Sequence, residues 1–231
     1  DHDATEKAKE RIAALRRETY LRAAEELVKI NAYLASLPQV DLTKVNAGEG
    51  MKGFFVAAAR LQLIAEPATS LLVNKLSARY SELAFTVMAK LLPVAKAKAD
   101  INIADELYQK EQAEVARLLS EISKQNESGR PDPDVYQALR SAFDFHQAQS
   151  QQYAGERSEA WKQFNALSFD FQRCLLQEIK EIGGKQIPVM VEIRRDLGLA
   201  GDLVEIEAFM KMQWAKMESG LDSLLLSLKD G

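Results

Sequence analysis

Two segments near opposite ends of this chain repeat their apolar side chains at the same spacing. Ile12, Leu15, Thr19, Ala23, Leu27, Ile30, Leu34 and Leu37 form one stripe. Leu203, Ile206, Met210, Trp214, Met217, Leu221, Leu224 and Leu228 form the other. Each spans 25 residues in seven steps, about 3.57 residues per step. That lies between the 3.5 of a coiled coil and the 3.6 of a straight helix, so each stripe belongs to one face of a long helix. The two helices read as long partners in one bundle.

Composition extends this to the whole chain. Only 11 Gly and 6 Pro punctuate 231 residues, too few turns for an all-β fold. Ala, Leu, Glu, Lys, Gln and Arg dominate, and these are the best helix formers. An apolar fraction of 47% with 28% charged residues supports a buried core. The expected fold is all-α, an elongated helical bundle with long antiparallel helices. Residues 1–231 read as a single all-helical domain, with a sub-boundary at the 126–134 turn.

The punctuation sets the helix limits. The first helix runs from Ala4 to Leu37 and is closed by Pro38; residues 38–50 then read as a loop. A second helical region, Met51 to Leu92, is broken near Glu66 by Pro67, and Pro93 marks another break or bend. The next helix reaches Gln125. NESGRPDPD, residues 126–134, forms the clearest turn, with Asp132 as N-cap and Pro133 at the first position of the helix that follows. That helix runs to Ile182 and ends at Gly183-Gly184. Ile187, Val189, Val191 and Ile193 alternate like a strand, but no partner strand exists, so residues 185–197 are assigned to helix. Asp202 caps the last helix.

FFVAAARLQLIAEPATSLLV, Phe54 to Val73, has the length of a membrane span. Arg60 and Glu66 would cost roughly 2.5–3.5 kcal/mol each in hydrocarbon. Its apolar residues also keep to one stripe, so it reads as a core helix. The net charge of −4 lacks the basic footprint of a nucleic-acid binder, and none is expected as a partner. One cysteine, Cys174, excludes an internal disulfide and a cysteine-based zinc site; on a hydrophobic helix it reads as buried and inert. No cofactor is expected.

One stretch departs from the pattern. After Val135, Leu139 and Ala142, the stripe turns polar across HQAQSQQYAGER before Trp161, Phe164, Leu167 and Phe171 resume it. The middle either projects into solvent, is broken at Gly155, or forms a polar pocket or partner-binding arm with His146, Tyr153, Arg157 and Trp161 as its contacts. Catalytic patterns are sparse. With only His2 and His146, the paired Glu-x-x-His motifs of di-iron bundles cannot form. Glu178 and Glu181, with Asp202 and Glu205, are two acid pairs three residues apart, each on one helix face. Facing each other, they would suit Mg²⁺. This arrangement resembles that of helical nucleotide pyrophosphohydrolases.

Lys7, Lys9, Arg11, Arg16, Arg17 and Arg22 make the first helix locally basic. Basic residues beside a membrane span favour the cytoplasmic side. Within this helix ALRRETYLRAAEEL, residues 14–27, resembles the segment that follows paired N-terminal transmembrane helices in uncharacterised bacterial membrane proteins. That resemblance implies a cytoplasmic placement at the inner face of a membrane, with an anchor upstream. The chain accordingly reads as a non-enzymatic interaction or scaffold domain of a longer bacterial protein, binding a protein partner or itself. A ligand-sensing bundle and a Mg²⁺-dependent hydrolase are the alternatives.

Overall fold

The computed structural model describes residues 2–37, 40–130, 132–199 and 202–227. Pro38, Pro131, Gly201 and Leu228, together with the side chains of His2 and Leu224, lie outside the described residues. In order come α1 (His2–Ser36), a 3-10 turn (Leu42–Lys44), α2 (Ala47–Ile64), α3 (Pro67–Glu127), α4 (Pro133–Asp196) and α5 (Leu203–Ser227), with no strand among the described residues. The fold is an all-α helical bundle.

Local chemistry explains most of the ends. Asn46 caps α2, its side chain accepting from the Glu49 amide at 3.4 Å. The break expected near Glu66 falls at Ala65 and Glu66, and Pro67 opens α3 where its missing N–H costs nothing. Asp132 caps α4 by accepting from Asp134 N at 3.0 Å and Val135 N at 3.3 Å. At the far end Gly198, with φ of 60°, closes α4. Leu199 N donates to Arg194 O and Gly198 N to Arg195 O, the paired bonds of a left-handed helix stop.

Three boundaries differ from those expected. α2 begins at Ala47, inside the expected loop. α3 continues past Pro93 instead of ending there, and α4 runs through Gly155, Gly183-Gly184 and Pro188. Gly183 serves packing instead of termination. A methyl group on it would lie 1.9 Å from Cη2 of Trp214, so the absent side chain is what lets α5 lie against α4. Lys180 extends that seam, its Nζ lying 3.0 Å from Asp222 and 3.3 Å from Glu218. Ile187, Val189, Val191 and Ile193 are all buried. On a helix their two-residue steps occupy opposing sides, so this part of α4 packs against neighbours on both.

The chain forms two compact units, Asp1–Leu91 with Phe169–Gly231, and Leu92–Ser168. The first holds the larger core. Leu27, Ile30 and Leu34 of α1 are buried with Met51, Phe54 and Leu61 of α2, Leu76, Tyr80 and Leu83 of α3, and Phe171, Leu175 and Ile182 of α4. Each such side chain contributes about 1.5–3 kcal/mol relative to exposure. The hydroxyl of the fully buried Tyr80 donates to Asn31 Oδ1 at 3.1 Å and accepts from Gln186 Nε2 at 2.6 Å. The second unit is a helical hairpin, residues 92–127 returning as 133–168, and the 126–134 turn lies inside it.

The packing role of Gly183 gives a test with a sign change. Gly183→Ala should lower stability by about 1–3 kcal/mol, as overpacking does. In a Trp214→Ala background the same substitution should instead stabilise by about 0.5–1 kcal/mol, the ordinary helix preference for Ala over Gly. Denaturant midpoints of the four proteins check both signs.

Candidate functional site

The polar stretch of α4 is one side of the hairpin seam. Opposite it, α3 presents Lys98, Asp105, Tyr108, Glu111 and Gln112, and the two helices meet in antiparallel order. The Lys98 ammonium lies 4.7 Å from the Trp161 ring centre and 5.7 Å from that of Phe164. The Arg157 guanidinium sits 5.6 Å from the Tyr108 ring centre, with its Nε 2.9 Å from Asp105 Oδ1. That pair is close yet not aligned as a hydrogen bond, so its attraction is mainly Coulombic. His146 Nδ1 is 2.6 Å from Glu111 Oε2. Gln112 donates to the buried Ser150 Oγ at 2.5 Å.

His146, Arg157 and Trp161 are therefore brought onto one seam and engaged by α3, and Tyr153 lies half-buried between them. The polar middle neither projects into solvent nor breaks at Gly155. Each cation–π contact of this kind contributes about 0.5–2 kcal/mol, and together the pairs fix the register of two helices with a thin apolar core. The partners on α3 carried a readable signal. Lys98, Ile101, Asp105, Tyr108 and Gln112 alternate three- and four-residue steps, which places them on one face.

The four acids proposed for Mg²⁺ are used differently. Glu178 and Glu181 do converge, but on Arg79, whose Nη2 lies 2.5 Å from Glu178 Oε2 and 2.9 Å from Glu181 Oε2. Burial opposes the charge on this guanidinium, yet the two carboxylates hold its pKa above the ordinary value. Asp202 caps α5, its Oδ1 accepting from Val204 N at 2.8 Å and Glu205 N at 3.3 Å. Glu205 stands exposed on the first turn of α5. Among the described residues no group of three or more His, Cys, Asp or Glu could hold a metal ion. A guanidinium already occupies the one place where two of the four acids meet.

A second polar centre had no signal in the sequence. Asp196, the last residue of α4, accepts from Tyr20 Oη at 2.5 Å and from the buried Thr69 Oγ1 at 2.6 Å. Burial, then the hydrogen bond to Asp196, raises the Tyr20 phenol far above its usual range. Arg16 pairs with Glu66 beside it. This network ties α1 and the start of α3 to the end of α4. Cys174 is half-buried, and burial followed by the Glu178 charge pushes its thiol up, the opposite of an activated nucleophile. Comparison with family models, curated proteins and solved structures gave no match.

The Arg79 cluster yields a direct test. Arg79→Ala should destabilise by about 1.5–3 kcal/mol, the range for hydrogen bonds to charged groups, because Glu178 is left with little solvent and no cation. Glu178→Gln in that background should recover part of the loss, and added Mg²⁺ should recover none. Thermal melts of the single and double variants, with and without the ion, check this.

Proposed function

We propose that this chain is a non-enzymatic helical interaction domain that works by holding a protein partner or a second copy of itself. The supporting observation is that α3 is apolar on two sides within the first unit. Val73, Leu76, Tyr80, Leu83 and Val87 fill the core. On the opposite side Leu71, Ala78 and Phe85 recur at seven-residue steps, with Met88 three residues on. Leu71 is 55% exposed and Phe85 70%. A helix with two apolar faces suits cover on both, and among the described residues the bundle covers only one of them. Seven-residue spacing is that of a helix-on-helix seam.

The residues that could carry chemistry favour this reading over the alternatives. Arg157 and Trp161 already have partners on α3, which weakens a ligand-sensing pocket there. The acids of the hydrolase alternative bind an arginine and cap a helix. The domain belongs, on this proposal, to a longer membrane-anchored bacterial protein and faces the cytoplasm. Exposed Arg11, Arg17 and Arg22 on α1 support that placement through the preference of basic segments for the inner side. No helix among the described residues is itself long and apolar enough to cross a membrane.

Site-specific photocrosslinking tests the proposal. With benzoylphenylalanine at position 85, the chain expressed in its native host should form one discrete adduct, with a second copy or another protein. The same probe at exposed Lys185 should form none. No adduct at 85, or equal adducts at both positions, would contradict the proposal.

A further inference from the structure

α1 and α2 run antiparallel, and residue size decides how closely they approach. At one end α2 offers Gly50 against Tyr33 and Gly53 against Glu26, and a methyl group on either would lie within 2.3 Å of its neighbour. Toward the other end α2 carries the larger Arg60, Leu63 and Ile64. A groove of about 260 Å³ opens there, lined by Leu15, Thr19 and Arg22 of α1 and by Ala57, Leu63 and Ile64 of α2, with Glu18 and Arg60 beside them. Leu15 and Leu63 on its walls are exposed, Leu63 at 85%. Arg22 and Arg60, one on each helix, have no ion-pair partner among the described residues and outnumber Glu18. The groove spans eight residues of each helix, seven steps or about 10.5 Å, which is two helical turns.

The first turns of α5 have the complementary character. Val204 and Phe209 are 76% and 56% exposed, and Met212 is exposed near them. The same first turn carries the exposed carboxylates of Asp202 and Glu205. Asp202 uses only Oδ1 in capping, and Glu205 has no ion-pair partner among the described residues. Two carboxylates and three exposed apolar side chains spread over about two turns of α5 match two guanidiniums and an apolar groove of two turns.

We propose that the start of α5 from a second copy of this chain seats in the α1–α2 groove, with Glu205 and Asp202 against Arg60 and Arg22. This rests on the reading of the chain as an interaction domain, and it names one partner and a surface distinct from the outward face of α3. The two surfaces differ, so the association is head-to-tail, leaving a free groove at one end and a free α5 at the other. A contact this short falls at the small end of protein interfaces, below about 1,200 Å² in total, and is weak. Salt weakens it further, because its ion pairs are exposed.

Sedimentation velocity of the full chain, from micromolar to near-millimolar concentration, tests it. The weight-average mass of the wild type should climb with concentration and fall back on adding salt. Arg60→Glu and Glu205→Arg should each remain monomeric and folded, with melting temperatures lowered by at most a few degrees, since each puts a disfavoured charge near a helix end. An equimolar mixture of the two should associate again, because the reversed groove of one meets the reversed helix of the other. A wild type that stays monomeric throughout would overturn the proposal, as would single variants that associate like the wild type or a mixture that fails to recover. The photocrosslink at position 85 is independent of Arg60 and Glu205. Its persistence in the variants separates loss of this contact from loss of the interaction function itself.

Discussion

The first unit depends on the hydroxyl group of Tyr80. Apolar burial drives helices together without fixing how they slide or turn, since one buried leucine is nearly as good as the next. A hydroxyl at a fully buried site is different, because leaving it unpaired costs about 1–3 kcal/mol. Here it is satisfied only when Asn31 of α1 and Gln186 of α4 arrive together. Gln186 Nε2 also donates to Asn31 Oδ1 at 2.8 Å, closing the triangle. One register of three helices meets that condition. The Tyr20–Asp196–Thr69 network applies the same constraint elsewhere on those three helices, so neither α1 nor α4 can shift by a turn without orphaning two buried groups.

The second unit solves the same problem with a thinner core. Two helices alone cannot bury much apolar surface, and a seam of leucines only would tolerate slippage. Polar pairs across the seam, Lys98 on Trp161 and Arg157 on Asp105 and Tyr108, restore a unique pairing at some cost in burial. Residues that suggest a pocket when α4 is read alone become register markers once α3 stands opposite. The same holds for Glu178 and Glu181, which neutralise Arg79 inside the fold. What remains unpaired on the outside includes apolar side chains and charges of both signs, and such surfaces bind other macromolecules.

Legibility followed the range of each interaction. Helix periodicity is local, so the all-α class, the Ala23-to-Leu37 part of the α1 stripe and the caps at Asp132 and Asp202 could be read directly, whereas Ile12 and Leu15 of α1 and Met217 of α5 stand exposed. The Pro67 break was equally clear, since proline acts on its own turn. Gly183-Gly184 misled because the reason for the glycine lies in Trp214, on another helix. Pro93 does not break α3, because a long helix absorbs the loss of one hydrogen bond. The partners of His146, Arg157 and Trp161 lie 35 to 63 residues earlier in the chain, and Tyr20 and Asp196 are 176 residues apart. No sequence window joins such pairs, although the three-and-four spacing of Lys98 to Gln112 hinted at a facing helix.

The polar and charged groups between the helices of this chain serve its own structure, while recognition belongs to its outward faces. The most direct measurement is a thermal-shift screen of the intact chain against divalent metals, nucleotides, amino acids and common metabolites. A specific small ligand at a hundred times its dissociation constant would add about 2.7 kcal/mol of stability. For a chain of this size that corresponds to roughly 5–10 °C. No reproducible shift is expected with any of these classes. A shift of that size with one class would contradict this reading, and would mark an internal polar cluster as a binding site.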